Sequence, residues 1–79
     1  MSSKEEIKEE QKRINRLRTL VDLTISIILQ GDLPIEKAQG LVEGVKNQAV
    51  TLFPGKEETF ELIYRPRFNR AIMDRYGLH

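Results

Sequence analysis

Few side chains in this sequence are equipped for chemistry, and the densest group of those is acidic. Glu57, Glu58 and Glu61 stand close together, the residue type that passes a proton between paired carboxylates or holds a cation. Paired carboxylates work only in a concave, partly desolvated site. Here they surround the start of a short helical stretch, where acids serve the helix dipole. There is no cysteine, which excludes disulfides and thiolate–metal chemistry. The single histidine, His79, is the last residue, where chains usually fray. The sequence also has no Gly-rich phosphate loop and no serine beside a plausible base. It predicts no catalytic residue, no metal-ligand set and no cofactor, and hence a protein that is not an enzyme.

The basic side chains offer a second chemistry. Arg65, Arg67, Arg70 and Arg75 are interleaved with Tyr64, Phe68 and Tyr76, a composition found on nucleic-acid surfaces. Guanidinium forks bind phosphate or carboxylate well. Phe68 and Tyr76, however, fall on the core-facing spacing of their helix, which removes them as stacking platforms. Overall charge is +1, from 13 basic and 12 acidic residues, with basic ends and an acidic middle. Bulk charge of this kind does not mark a nucleic-acid or membrane protein. A helix-turn-helix reading would use the second helix as reader, but Glu36, Gln39, Glu43 and Asn47 offset Lys37 and Lys46 there. An anion or nucleic-acid patch on the four arginines is therefore the alternative reading; a solvated face, or a docking patch for an acidic protein, is favoured.

Four helical stretches must position these residues. The first spans about Lys4 to Gln30, with Ile7, Ile14, Val21 and Ile28 every seven residues, an apolar arc that widens toward its C-terminal end. Gly31 is a stop signal, and the short Gly31–Pro34 link makes the next helix an antiparallel neighbour. Pro34 suits the first turn of that helix, which runs to about Phe53 before Pro54 and Gly55 turn the chain. A short third helix covers about Glu57 to Tyr64. Pro66 then bends the chain, because the residue before a proline is disfavoured in the helical region. The fourth helix, about Pro66 to Tyr76, ends at Gly77. The fold expected is all-α, a small orthogonal or bundle-like domain. The long first helix forms an antiparallel hairpin with the second, capped by two short C-terminal helices. Its core is predicted to hold Leu17, Val21, Ile28, Leu41, Val45, Ala49, Leu52, Phe60, Ile63, Phe68 and Ile72. Residues 1–10 form an exposed, fraying helical N-terminus, and residues 11–79 a single domain.

A 79-residue chain buries only about 60% of the surface its unfolded form exposes. Such domains usually need a disulfide, a metal or a partner, and the first is absent. Either unusually good helix packing or self-association must supply the missing stability, and for self-association the first helix offers a seam: Ile7, Ile14, Leu17 and Val21. A two-stranded coiled coil wants both of its apolar positions filled, and the intermediate set here is Glu10, Leu17, Thr24 and Gly31. Packing within its own domain is the favoured account of the stripe, and the wide arc lets one face pack internally while another meets a second copy. Gly40 and Gly44 on the second helix offer a flat face for close approach of another helix, on a motif much less specific outside membranes; tolerated exposed glycines are the favoured reading. Asp22, the one acid in the apolar half of the first helix, is placed to pair with Arg18 or to accept a bidentate bond from an arginine of the fourth helix; a solvated flank worth little to stability is the favoured reading. Residues 3–18 are too charged for a secretory signal. Leu20–Leu29 is about half a membrane span and is interrupted by Asp22. A cytoplasmic location with no membrane contact is the default. The expectation is a small non-catalytic protein-interaction module that self-associates through its first helix.

Overall fold

Ser3 starts the first helix with a reciprocal cap. Its Oγ accepts a hydrogen bond from the Glu6 amide at 3.1 Å, and its own amide donates to Glu6 Oε2 at 3.3 Å. The Ser-x-x-Glu pattern at residues 3–6 is the usual signature of this box. The computed structural model describes residues 3–77, so residues 1 and 2 of the predicted N-terminal stretch, and His79, lie outside it. Four helices follow: α1 (Lys4–Gln30), α2 (Ile35–Leu52), α3 (Glu57–Ile63) and α4 (Arg65–Tyr76), with no strand among the described residues. The fold is all-α. α1 and α2 form the antiparallel hairpin, α4 lies on both, and α3 joins α2 to α4.

The helix ends show local physics at work. Gly31 ends α1 in an extended conformation, φ −83° and ψ 160°, with its amide donating to the Ile27 carbonyl at 2.7 Å. Glycine is required here by space, because a Cβ would come within 2.6 Å of that carbonyl oxygen. Pro34 caps α2 from just outside the helix rather than within its first turn, its carbonyl accepting from Lys37 and Ala38. The α3–α4 junction is tighter than the sequence implied. Arg65 is already helical, and the interruption falls at Tyr64, which closes α3 and opens α4. Pro66 has no amide hydrogen for the preceding turn, so the two helices remain separate. At the end of α4, Gly77 adopts φ 67°, where its amide reaches the Met73 carbonyl at 2.9 Å, a left-handed cap that glycine adopts without a Cβ penalty.

The core gathers Leu17, Val21 and Ile28 from α1, Ala38, Val42, Val45 and Ala49 from α2, Phe60 from α3, and Phe68, Ala71 and Ile72 from α4. Phe68 is fully buried and stacks on Phe60 with ring centroids 6.2 Å apart. Two expected core residues lie outside. Leu41 is 37% exposed because it sits at the edge of the α2 stripe, while Ala38 and Val42 hold its centre. Ile63 is 53% exposed because α1 and α3 do not pack on each other. Leu52 is only partly buried. The α4 end clamps the hairpin turn: the Tyr76 hydroxyl donates to the Leu33 carbonyl at 2.6 Å, and Arg75 donates to the Gly31 carbonyl at 3.2 Å.

The molecule is elongated, 47 × 22 × 16 Å. Its radius of gyration is 14.2 Å, against about 12 Å for a compact chain of this length. Replacing Phe68 with alanine is expected to cost about 3–5 kcal/mol of stability, whereas Ile63→Ala should stay within about 1 kcal/mol. Urea unfolding of both variants checks this, and equal losses would refute the placement of the core.

Candidate interaction surface

At about 1.5 Å per residue, the 27 residues of α1 span about 40 Å and the 18 of α2 about 27 Å. α1 therefore runs on alone for roughly 13 Å. Residues 4–13 are exposed throughout, and Ile7 is 54% exposed. The predicted seam divides at this point. Leu17 and Val21 are buried in the domain's own core, because α2 and α4 both pack against the C-terminal two thirds of α1. Ile14 is half-buried. Ile7 and Ile14 are thus the seam residues with surface left for a partner.

Ile14 also stands at the edge of an apolar groove of about 360 Å³ between α1 and α3. Leu17, Ala49, Phe53, Phe60, Ile63 and Tyr64 line it, with Lys56 and Thr59 at the α3 side. The groove lies where α1 and α3 both flank α2 or α4 while their backbones stay apart. Nothing in the residue pattern announces it. Phe53, Phe60, Ile63 and Tyr64 read as ordinary core positions, and only the divergence of the helices opens a space between them.

Gly40 and Gly44 lie on the outer side of α2, exposed, with no atom within 4 Å of where a Cβ would stand. That side of α2 is therefore open surface. Leu23 and Ile27 on α1 add exposed apolar surface, and Leu20, Leu23 and Gln48 border a shallow depression where α1 and α2 meet.

The four arginines do not form one patch. Arg65 makes two bonds to Glu61, 2.8 Å from Nε and 3.0 Å from Nη2, and a third to Glu43 at 2.8 Å. Glu61 in turn holds Lys46 at 2.6 Å, so Glu43, Arg65, Glu61 and Lys46 link α2, α3 and α4. The Arg65 guanidinium bonds, and then the Lys46 ammonium, hold the Glu61 carboxyl down at about 2, from an ordinary 4.5. The bonds to Glu61 first, and Glu43 second, raise the Arg65 pKa. Arg67 bonds Asp22 at 3.0 Å; a helix-four arginine is the partner of that acid, through one bond rather than two. Arg75 turns to the hairpin link and to Asp32 at 3.5 Å. Arg70 makes no ion pair among the described residues. Of the acidic group, Glu61 is committed to these cations, and no cluster of metal-binding side chains occurs among the described residues. None of the described helices is long and apolar enough to cross a membrane. No family model, curated protein or solved structure matches the chain.

The depressed Glu61 pKa has a definite sign. A carboxylate held lower in the folded state contributes stability above its unfolded pKa and loses it as pH falls through the folded value. Stability should therefore drop between about pH 4.5 and pH 2, and Glu61→Gln should flatten that part of the thermal-melting profile; an unchanged slope would refute the linkage. Gly44→Ala should raise stability by up to about 1 kcal/mol, since a solvated helix interior gains from the exchange. A loss on thermal melting would mean that the glycine face is occupied.

Proposed function

We propose that this chain is a small, non-catalytic protein-interaction module that self-associates through α1, in a cytoplasmic setting. The observation that carries the proposal is the uncovered run of α1, residues 4–13, with Ile7 exposed on the side that leads to Ile14 and the groove. A helical extension of about three turns has little stability of its own in water. The ion-pair spacing Glu9–Lys12, 3.7 Å apart, adds little at an exposed site. A partner supplies what the domain does not.

Surface area supports the same reading. The chain exposes 5933 Å². A compact monomer of 9.2 kDa would expose about 4,900 Å². The surplus of roughly 1,000 Å² is comparable to the ~800 Å² that one partner contributes to a standard interface. The arginines support it too. Three of the four bond the protein's own acids or carbonyls, which leaves less free positive charge for phosphates.

Size-exclusion chromatography with light scattering tests the proposal. At tens of micromolar the expected mass exceeds 9.2 kDa, by a factor of about two or more. Ile7→Lys should return the monomer with its melting temperature in dilute solution unchanged, because Ile7 is exposed and is not a core residue. A wild-type monomer at every concentration would overturn self-association. Absorbance at 260 nm that co-elutes and leaves at high salt would instead favour the anion patch at Arg65, Arg67, Arg70 and Arg75.

A further inference from the structure

The exposed part of α1 is divided in charge. Residues 4–10 carry Glu5, Glu6, Glu9 and Glu10 against Lys4 and Lys8, a net of −2. Residues 11–17 carry Lys12, Arg13 and Arg16 and no acid, a net of +3. The boundary falls midway between Ile7 and Ile14, which lie on one side of the helix, two turns apart. A helix with these properties is complementary to itself in one orientation only. Parallel pairing in register sets −2 against −2 and +3 against +3. Antiparallel pairing sets each acidic segment along a basic one.

Resting on the self-association reading above, we infer that two copies dock through α1 antiparallel, about a two-fold axis passing between Glu10 and Gln11. Ile7 of each copy then meets Ile14 of the other. The first turns of each α1 lie along the mouth of the other copy's α1–α3 groove, where Ile14 and Ile63 present apolar surface and Lys56 a positive charge. Arg13 shares a flank of the Ile7–Ile14 stripe with Glu6 and Glu10. In an isologous antiparallel pair like flanks face each other, so Arg13 of one copy comes level with the gap between Glu6 and Glu10 of the other. The contact uses the same surface twice, and it covers both features that the monomer leaves open, the protruding helix and the groove.

The absence of cysteine makes the orientation directly measurable. Ile7→Cys and Ile14→Cys are made as separate full-length proteins, mixed in equal amounts, oxidised mildly and run on a non-reducing gel, with light scattering of the wild type beside them. Thiols held opposite each other in the dimer react at high effective concentration. The mixed disulfide between the two variants should therefore form at least about tenfold faster than either variant's own homodimer. Faster cross-linking of Ile7→Cys with itself would overturn the antiparallel register. So would a scattering dimer that shows no cross-link in the mixture, since it would place the contact on another face. A wild-type monomer in the scattering arm removes the self-association reading as well, which separates the two failures. As a second readout, Arg13→Glu should weaken association severalfold. Association left unchanged by Arg13→Glu would overturn the facing of these residues.

Discussion

A helix of 27 residues packs on a partner of 18, and the rest of the molecule is arranged around that mismatch. A helix buries an apolar face only where a neighbour runs alongside it. The C-terminal part of α1 has two neighbours, α2 and α4, and its apolar arc is wide there because it must face both. The N-terminal part has none, and its composition changes accordingly, to charge on most positions with a single line of isoleucine. The capping box at Ser3 belongs to the same arrangement, since it satisfies the first amides of a helix end that no tertiary contact protects.

Within the packed portion, the aromatic contact between Phe60 and Phe68 does for the short helices what the hairpin does for the long ones. α3 has only seven residues, too few to persist alone, and it is held from two sides. Phe60 is buried against Phe68, and Glu61 on the next position pairs with Arg65 and Lys46. One helical turn thus offers an apolar anchor inward and a charged anchor outward. The ion pairs are partly solvated, so their contribution lies more in orienting α3 and α4 than in net stability. They also commit Glu61 of the acidic group, and Arg65 of the four arginines, to partners within the protein. Oppositely charged residues that the sequence lists apart become neighbours once α3 and α4 fold back on α2.

Much of this was legible in the residues. The four helices, their order and nearly all of their ends follow from apolar periodicity and from Gly31, Pro34, Pro54, Gly55, Pro66 and Gly77 at the boundaries. These signals act within a few residues of themselves, so reading them needs no knowledge of the fold. The burial of Leu17, Val21, Ile28, Val45, Ala49, Phe60, Phe68 and Ile72 follows from the same period. The exposure of Leu41 and Ile63 does not, because a stripe shows which side of a helix is apolar but not how much of that side a neighbour reaches.

The surface available for contact divides along the same line. By itself the sequence determined that the chain is helical, that α1 bears a heptad-spaced stripe, and that its charge changes sign between Ile7 and Ile14. Each of these properties belongs to one helix. Only the tertiary structure decided that Leu17 and Val21 turn inward while Ile7 stays exposed, that α1 and α3 stand apart over an apolar groove, and that Arg65, Arg67 and Arg75 reach across to Glu43, Asp22 and the hairpin link. Those outcomes depend on the distances between helices, which are set where side chains from three or four segments meet, and no local pattern in the chain encodes them.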